Sequence, residues 1–348
     1  MTEAIKRRGL ADTVGFAHLD RQMDALMQRI GGRNTATLER LFRDKGVSAG
    51  DRWRMAIAPH DDYAYVGSLY PLVLANIKAG TVIIFGVAHK ARQLGLEDQL
   101  IFDSFTHWRG PYGDIAVSPL RERILSLLPE GSYRISDEMH GIEHSVEAKL
   151  PFLQYYNRAV QFVPILVPFM SYARMNELAV PLAQAIAAIM RDPRLEWGTD
   201  IALLASTDAV HYGDEGWGGR NFARYGADAE GYAKALLHEQ RIMSDCFDGE
   251  LQPDRIERFT RYTLADDDPR EYKWPWCGRY SVPYGLLVAW QLQQIRRAKP
   301  LTGTILGYGT SMDHAGSGVL RVDDLDGMGV TAPATLHHWV GYASVGYR

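Results

Sequence analysis

Apolar segments of strand length alternate with helical patterns along most of this chain, and this alternation constrains the fold more than any other feature. Helical patterns occur at 177–192 and 232–247. Near-continuous apolar strands that alternate with helices are typical of a sheet covered on both faces. We therefore predict an α/β fold in a single three-layer domain, with a mixed central sheet flanked by helices. The strand-like segments are RMAIA (54–58), TVIIFGVA (81–88), QFVPILV (161–167), DIALLAS (200–206), GTILGYG (303–309) and VGYASVGY (340–347).

The N-terminal region has a different pattern from the rest of the chain. Residues 18–45 contain two short amphipathic helical patterns separated by Gly31–Gly32. We expect residues 1–50 to form a helical segment packed on the core and residues 51–348 to form the α/β domain.

One of the strand-like segments, 161–167, contains a proline, Pro164. Proline cannot donate a hydrogen bond to a strand ladder, so Pro164 predicts an edge position or a bulge for its strand.

The composition is that of a globular protein with a sizeable core, since 46% of residues are apolar and 23% are charged. The net charge of −4 and the lack of a basic run argue against a nucleic-acid partner. The sequence shows no secretory signal and no apolar run near the roughly 20 residues that span a bilayer. Two cysteines are too few for a disulfide scaffold. We expect a cytoplasmic protein with no membrane partner.

Three of the predicted strands end in side chains that can bind a metal. RMAIAP runs into His60, TVIIFGVA into His89, and DIALLAST into Asp208, with His211 three residues later. The carboxyl ends of strands in an open α/β sheet are where ligands bind. Neutral imidazole is a common ligand for zinc, copper and iron. These residues therefore predict one shared site at that edge of the sheet.

Two further segments allow more than one interpretation. Cys277 lies just before an apolar helical pattern, where it is either a thiolate ligand or a small buried residue. If the chain is helical from about residue 142, His144 and Glu147 share one face. They then either contact a substrate oxygen or hold neighbouring loops. Cys246 is interpreted only as a buried apolar residue.

Six motifs in order resemble those of one known family, the MEMO-like proteins, which are the B component of the AmmeMemoRadiSam system. The resemblance extends from about Met55 to Tyr347. The motifs are APHDDYAYVGS (58–68), GVAHK (86–90), IEHSVEAKLPFLQ (142–154), STDAVHYG (206–213), WCGRYSVPYGLL (276–287) and YGTSMD (308–313) with VGYASV (340–345).

This resemblance implies a fold similar to that of the class III extradiol ring-cleavage dioxygenases, which use non-haem Fe(II). It implies that His60, His89 and Cys277 hold one metal, Fe(II) by preference and copper or zinc as alternatives. It also implies that His211 takes the position of the catalytic histidine of those dioxygenases, with Asp208 beside it. The implied partners are radical-SAM and AMMECR1-like proteins of the same system. The chain departs from the family pattern at Asp61–Asp62, where the family has Ala-Gly.

Two functional hypotheses follow from the resemblance. The first is an oxygenase for a catechol-like or other small aromatic substrate, in which His211 transfers a proton, Asp208 orients it and His144 assists. The second is a non-catalytic metal-binding scaffold or redox protein, which a thiolate ligand favours. An open metal site beside an aromatic pocket would distinguish the first from the second.

The substrate site of the oxygenase hypothesis draws on residues near the motifs. Trp217 and Trp274 are further candidates for an aromatic wall. An aspartate from the Asp61–Asp62 pair would select a substrate that carries an amine. The predicted substrate-binding residues are Asp61, Asp62, Tyr63 and Trp276.

Overall fold

A computed structural model of the protein describes residues 4–312, 327–331 and 334–348, except for the side chains of 33–38. The strands are β1 (Arg7–Arg8), β2 (Met55–Ala58), β3 (Thr81–Val87), β4 (Leu100–Phe102), β5 (His107–Gly110), β6 (Gly113–Ala116), β7 (Tyr133–Ile135), β8 (Gln161–Val167), β9 (Ile201–Ser206), β10 (His211–Gly213), β11 (Gly249–Glu250), β12 (Thr302–Thr310) and β13 (His338–Tyr347). The helices are α1 (Asp20–Asp44), α2 (Tyr63–Val66), α3 (Tyr70–Leu74), α4 (Leu120–Leu125), α5 (Asp137–Gly141), α6 (Leu150–Tyr156), α7 (Tyr172–Ile189), α8 (Ala229–Cys246), α9 (Pro253–Thr263) and α10 (Ser281–Arg296).

A large mixed sheet organises the fold. Its strand order is β11-β12-β13-β2-β9-β3-β8-β4-β7, and β10 pairs with β13 beside this path. Strands β2, β9, β3 and β8 are parallel neighbours, whereas β13 is antiparallel to both β2 and β12. A smaller sheet contains β1, β5 and β6. Because β2, β9 and β3 are parallel and adjacent, their carboxyl ends lie at one edge of the sheet.

Both faces of the large sheet are buried. Met55 and Ile57 of β2 pack in one hydrophobic cluster with helices α7 and α10, whereas Ala56 and Ala58 face a second cluster. Strand β3 alternates in the same way. Successive side chains of a strand point to opposite faces, so two separate clusters require helices on each side. The predicted three-layer α/β architecture is confirmed.

Helix α1 corrects the prediction of two short helices, because Gly31 and Gly32 lie inside it. Both glycines are exposed, so each costs the helix only about 1 kcal/mol relative to alanine. The buried stripe of Met23, Leu26 and Ile30 holds the helix against the second hydrophobic cluster. Packing of this face outweighs the local preference of the glycines.

Strand β8 corrects the prediction for Pro164, because β8 lies between β3 and β4 and not at the edge of the sheet. Its ladder with β3 is continuous, but it pairs with β4 only at Leu166. On that side Phe162 bridges to Val117, so Pro164 lies between two isolated contacts. The missing N–H therefore faces an interrupted ladder.

None of the helices in the described ranges has the length and apolar character needed to cross a membrane.

Candidate metal centre

The carboxyl edge of the sheet brings the predicted ligands together. His60 follows β2, His89 follows β3 and Asp208 follows β9. Cys277 comes from the loop before α10, and the next residue, Gly278, allows this loop to approach the end of β9. A Cβ atom at Gly278 would lie 2.2 Å from the side chain of Thr207, so only glycine fits there without a shift of the backbone.

The donor atoms of His60, His89 and Cys277 all lie within 4.8 Å of one another. Nε2 of His60 is 3.4 Å from Sγ of Cys277. The other nitrogen of this ring, Nδ1, lies 2.7 Å from Oγ of Ser206. Ser206 donates its own hydroxyl proton to the carbonyl oxygen of Ser145 at 2.6 Å. The imidazole must therefore donate from Nδ1, which leaves the lone pair of Nε2 directed toward the cysteine.

His89 is oriented in the same manner by a carboxylate. Its Nδ1 lies 3.0 Å from Oε1 of Glu143, and its backbone N–H donates to Oε2 of Glu143 at 2.8 Å. A histidine that donates one ring N–H to a carboxylate presents the other nitrogen as a more basic ligand. The two imidazoles and the thiol therefore form a donor set that suits zinc, copper or iron.

Protonation in the metal-free site differs among the three donors. Burial and the nearby Lys149 lower the pKa of His60 well below its usual value, so this ring is neutral. Burial opposes protonation of His89, but Glu143 and Cys277 outweigh it and raise its pKa well above the usual value. Burial and the charge of Asp208 raise the pKa of the Cys277 thiol. A metal must therefore displace protons from His89 and Cys277.

Asp208 lies beside His60, and one of its oxygens is also within 4.8 Å of a ring nitrogen of His211, so its orientation of His211 stays a prediction. Its Oδ1 accepts the backbone N–H of His60 at 2.9 Å, and its Oδ2 lies 3.4 Å from Nε2 of that ring. Nε2 of His211 has no hydrogen-bond partner among the described residues. Burial raises the pKa of Asp208 to about 8. The carboxylate is held by the first histidine and adds an oxygen donor at the margin of the cluster.

His144 and Glu147 do not share a helical face, because the chain is not helical from residue 142. Helix α5 ends at Gly141, and a 3₁₀ turn begins only at Glu147. The intervening turn is fixed by Glu143, which accepts the backbone N–H groups of both His89 and Ser145. His144 stacks on His89 with ring centroids 5.3 Å apart.

Glu147 points away from the donor cluster toward the N-terminal segment. It accepts the backbone N–H of Ala11 at 2.9 Å and forms a buried ion pair with Arg8. This contact matches the interpretation in which Glu147 holds a neighbouring loop. The ring of His144, by contrast, contacts both candidate metal-binding histidines. It stacks on His89, and its centroid lies 5.5 Å from that of the His60 ring.

A cavity of about 400 Å³ opens beside the donor cluster, and His89, Cys277 and His211 all line it. Burial and the positive charge of His89 lower the pKa of His211 to about 3, so its imidazole is neutral. The ring of Trp217 lies 5.2 Å from that of His211. Phe222 also lines the cavity. This arrangement can hold a small aromatic molecule next to a proton acceptor.

The predicted substrate-binding residues lie outside this cavity. Trp276 is fully buried and donates its Nε1–H to Glu239 at 2.8 Å, so it belongs to the core. Tyr63 is also fully buried, and its hydroxyl donates to the carbonyl oxygen of Ala148. A buried indole or phenol must satisfy its polar atom, and these internal partners draw both side chains inward.

The two adjacent aspartates are likewise engaged by internal partners. Asp61 accepts the hydroxyl of Tyr342 at 2.6 Å. Asp62 is buried and accepts both the backbone N–H and the hydroxyl of Thr331. Asp313, the last residue of the YGTSMD motif, lies outside the described residues.

Sequence reasoning missed several residues that shape the site. Glu143 stands inside the IEHSVEAKL motif, yet only the fold shows that it, and not Glu147, contacts a candidate metal-binding histidine, His89. Ser206 is an ordinary strand residue in the sequence. Lys149 donates to Ser206 at 2.5 Å, and burial lowers its pKa to about 7. Arg279, adjacent to the Cys-Gly pair, is the one charged residue in an otherwise uncharged segment, 274–287.

Comparison with known proteins identifies the family to which this chain belongs. A model of Memo-like proteins matches residues 32–317, which is well over half of the chain. The chain belongs to the Memo-like family. A MEMO1 family protein of Thermococcus kodakarensis is 31% identical over 185 residues, which are 51% of this chain and 59% of that protein.

Two further MEMO1 family proteins show similar relationships. One from Pyrococcus furiosus is 30% identical over 186 residues, and one from Thermotoga maritima is 29% identical over 197 residues. The alignments cover 59% and 65% of these relatives and 51% and 54% of this chain. The chain thus spans less than two thirds of the length of the curated Memo-like relatives it matches. Their names state family membership and no activity.

Proposed function

We propose that this protein is a metal-dependent oxygenase of the extradiol type, which acts on a catechol-like or other small aromatic substrate. The observation that carries the proposal is the position of the donor cluster beside the cavity. His89 and Cys277 line the cavity wall, and a neutral histidine, His211, lines the same space. A site that only stored a metal would have no need of this cavity.

The metal would be held by His60, His89 and Cys277, with the carboxylate of Asp208 close by. The residues fit such a group because the Nδ1 atoms of both histidines are already occupied by Ser206 and Glu143, which leaves the other nitrogen of each ring for the metal, near one sulfur, once His89 has lost its extra proton. Bound Fe(II) would supply Lewis acidity toward a substrate hydroxyl and redox chemistry with O2. The resemblance to the extradiol dioxygenases is what favours iron.

The protein would supply positioning and proton transfer. His211 is neutral and lines the cavity, so its imidazole can accept the proton of a substrate hydroxyl and later return it. Trp217 and Phe222 would contact the face of an aromatic ring and exclude water from it.

A second candidate function is a non-catalytic metal-binding or redox protein. Cys277 favours it, because a thiolate in place of a carboxylate selects Cu(I) or zinc over Fe(II). The cavity beside the cluster favours the oxygenase. Fe(II) as the native metal, the radical-SAM and AMMECR1-like partners and the cytoplasmic location remain predictions.

Anaerobic loading with Fe(II), followed by O2-uptake measurements with a panel of catechols, tests the proposal. Uptake that depends on substrate and is lost in His60→Ala would support it. His107→Ala, a half-exposed histidine in β5, is the control and should retain uptake. Tight binding of Cu(I) or zinc that depends on His60 and Cys277, without uptake for any catechol, would replace the oxygenase with the second candidate.

A further inference from the structure

The cavity beside the donor cluster is strongly basic. Among the described residues that line it, none is acidic and four are arginines: Arg92, Arg220, Arg270 and Arg279. Its remaining walls are largely aromatic and apolar. A cavity of about 400 Å³ with this lining is the size of a small-molecule site.

Three of these arginines stand at the exposed rim and have partners. Arg220 pairs with Glu271 at 2.8 Å, and Arg92 lies 3.6 Å from the same carboxylate. Arg270 pairs with Glu97 at 2.9 Å. Such exposed pairs are screened by water and contribute little to stability. Among the residues that the structure describes, two carboxylates pair with these three guanidinium groups, so this part of the rim retains positive charge.

Arg279 differs from the rim arginines. Only 8% of it is exposed, and it forms no ion pair with any described residue. Its guanidinium lies 3.6 Å from the ring of Tyr272 and 4.5 Å from that of Tyr280. Its Nη2 donates weakly to the carbonyl oxygen of Arg270 at 3.4 Å, and its buried Nε has no partner within the described chain.

A buried guanidinium without a counter-ion is costly, because desolvation is not offset by a paired charge. The two tyrosine rings pack against the guanidinium, and its Nη2 makes only a long hydrogen bond to Arg270, so its outer N–H groups can still donate to a ligand. A planar guanidinium recognises carboxylates and phosphates through paired hydrogen bonds. The chain therefore provides a preformed cationic group in the same cavity as His211 and Cys277.

We infer that this cavity binds an aromatic substrate that carries an anionic group, and that Arg279 binds that group. The aromatic ring lies between the arginine and the donor cluster, with its reacting hydroxyls toward His89, His211 and Cys277. The orientation of the reacting end rests on the proposed function, whereas the anion site does not need a metal.

This inference replaces the expectation that an aspartate selects an amine. Asp61 and Asp62 are engaged by Tyr342 and Thr331 and do not line the cavity. The charge that faces a ligand in this space is positive.

Calorimetric titration of the metal-free protein tests the inference independently of catalysis. The ligands are catechol, 3,4-dihydroxybenzoate and 3,4-dihydroxybenzylamine, which differ mainly in charge, and phenyl phosphate as a second anion. The wild type should bind at least one anion about 10- to 100-fold more tightly than catechol, the range of a charge-assisted hydrogen bond. The amine should bind most weakly. The two anions distinguish a carboxylate from a phosphate ester.

Two variants and a control assign the preference to one residue. Arg279→Gln should remove the difference between the anions and catechol, and Arg279→Lys should retain part of it. Arg258→Gln, an exposed residue of α9 paired with Asp254, should match the wild type. Equal binding of catechol and both anions, tighter binding of the amine, or an anion preference that survives in a folded Arg279→Gln protein would overturn the inference. If Arg279→Gln does not fold, the wild-type series and Arg279→Lys still decide it.

Discussion

Sγ of Cys277 lies 3.4 Å from Nε2 of His60, although 217 residues separate them in the chain. The contact exists because β2 and β9 are parallel neighbours and because Gly278 allows the cysteine loop to approach the end of β9. Ser206, the last residue of β9, accepts the Nδ1–H of His60 and so fixes the tautomer of that ring. One edge of the sheet thus sets both the place and the protonation of the donors.

Glu143 should strengthen metal binding by orienting His89. In Glu143→Gln the amide oxygen can still accept from Nδ1 but carries no charge, so the affinity for zinc should fall about 10- to 100-fold. Competition with a fluorescent chelator measures this change. Glu138→Gln, an exposed substitution on the preceding helix, should leave the affinity unchanged. Equal affinity in both variants would show that Glu143 has no such role.

Metal binding should release protons and weaken as the pH falls. The metal-free site holds one proton on His89, whose pKa is raised mainly by Glu143 against the effect of burial, and one on the thiol of Cys277, whose pKa is raised by burial. Both must leave before the donors can bind a metal. Calorimetry in buffers of different ionisation enthalpy should detect the release of more than one proton. Affinity that is independent of pH would be inconsistent with this protonation.

Arg8 should stabilise the fold strongly for a residue so near the N-terminus. Its buried guanidinium pairs with Glu147, donates to the carbonyl oxygens of His140 and Glu143, and lies 4.0 Å from the ring of Trp108. Arg8→Ala leaves the Glu147 carboxylate buried without its partner, which costs about 3–5 kcal/mol in the free energy of unfolding. Urea denaturation measures this loss.

The neighbouring arginine provides the control for that measurement. Arg7 is exposed and pairs with Asp114, so Arg7→Ala should change the free energy of unfolding by less than about 1 kcal/mol. Similar losses for the two substitutions would mean that the buried contacts of Arg8 do not set its contribution.

Asp62 should make the protein less stable as the pH rises from about 4 to about 7. Burial and the adjacent Asp61 raise its pKa to about 7 in the folded state, whereas an aspartate in an unfolded chain has a pKa near 3.9. The folded state therefore keeps a proton that the unfolded state loses, and stability decreases with pH across that range.

The substitution Asp62→Asn should remove this decrease. An amide oxygen can still accept from Thr331, so the variant should exceed the wild type above pH 7 by an amount on the order of 1–3 kcal/mol. Urea denaturation below pH 5 and above pH 7 gives the comparison, with the exposed Asp20→Asn as control. A variant that is less stable than the wild type at the higher pH would refute the assignment.

The positions of His60, His89 and Asp208 were predictable from the sequence because parallel strands share a carboxyl edge. The roles of Glu143 and Glu147 were not, since the segment between α5 and α6 is not α-helical and its partners come from the loop after β3 and from the N-terminal segment. No local pattern distinguishes these two glutamates.

Aromatic residues near the motif of Cys277 were equally ambiguous in the sequence. Trp276 stands next to a candidate ligand, yet its partner Glu239 is 37 residues away and draws it into the core. Trp217, by contrast, lines the cavity. Only the tertiary structure shows which indoles bind a buried carboxylate, and which cations, such as Arg279, have no carboxylate partner among the described residues.

X-ray absorption spectroscopy of the zinc-loaded protein tests the donor cluster most directly. We expect a sulfur neighbour at about 2.3 Å and nitrogen neighbours at about 2.0–2.1 Å. The sulfur signal should disappear in Cys277→Ser and persist in Cys246→Ser, which changes the other buried cysteine. A wild-type spectrum with only oxygen and nitrogen neighbours, as expected for the exposed group of Asp214, Glu215 and His337, would show that the metal does not bind at Cys277.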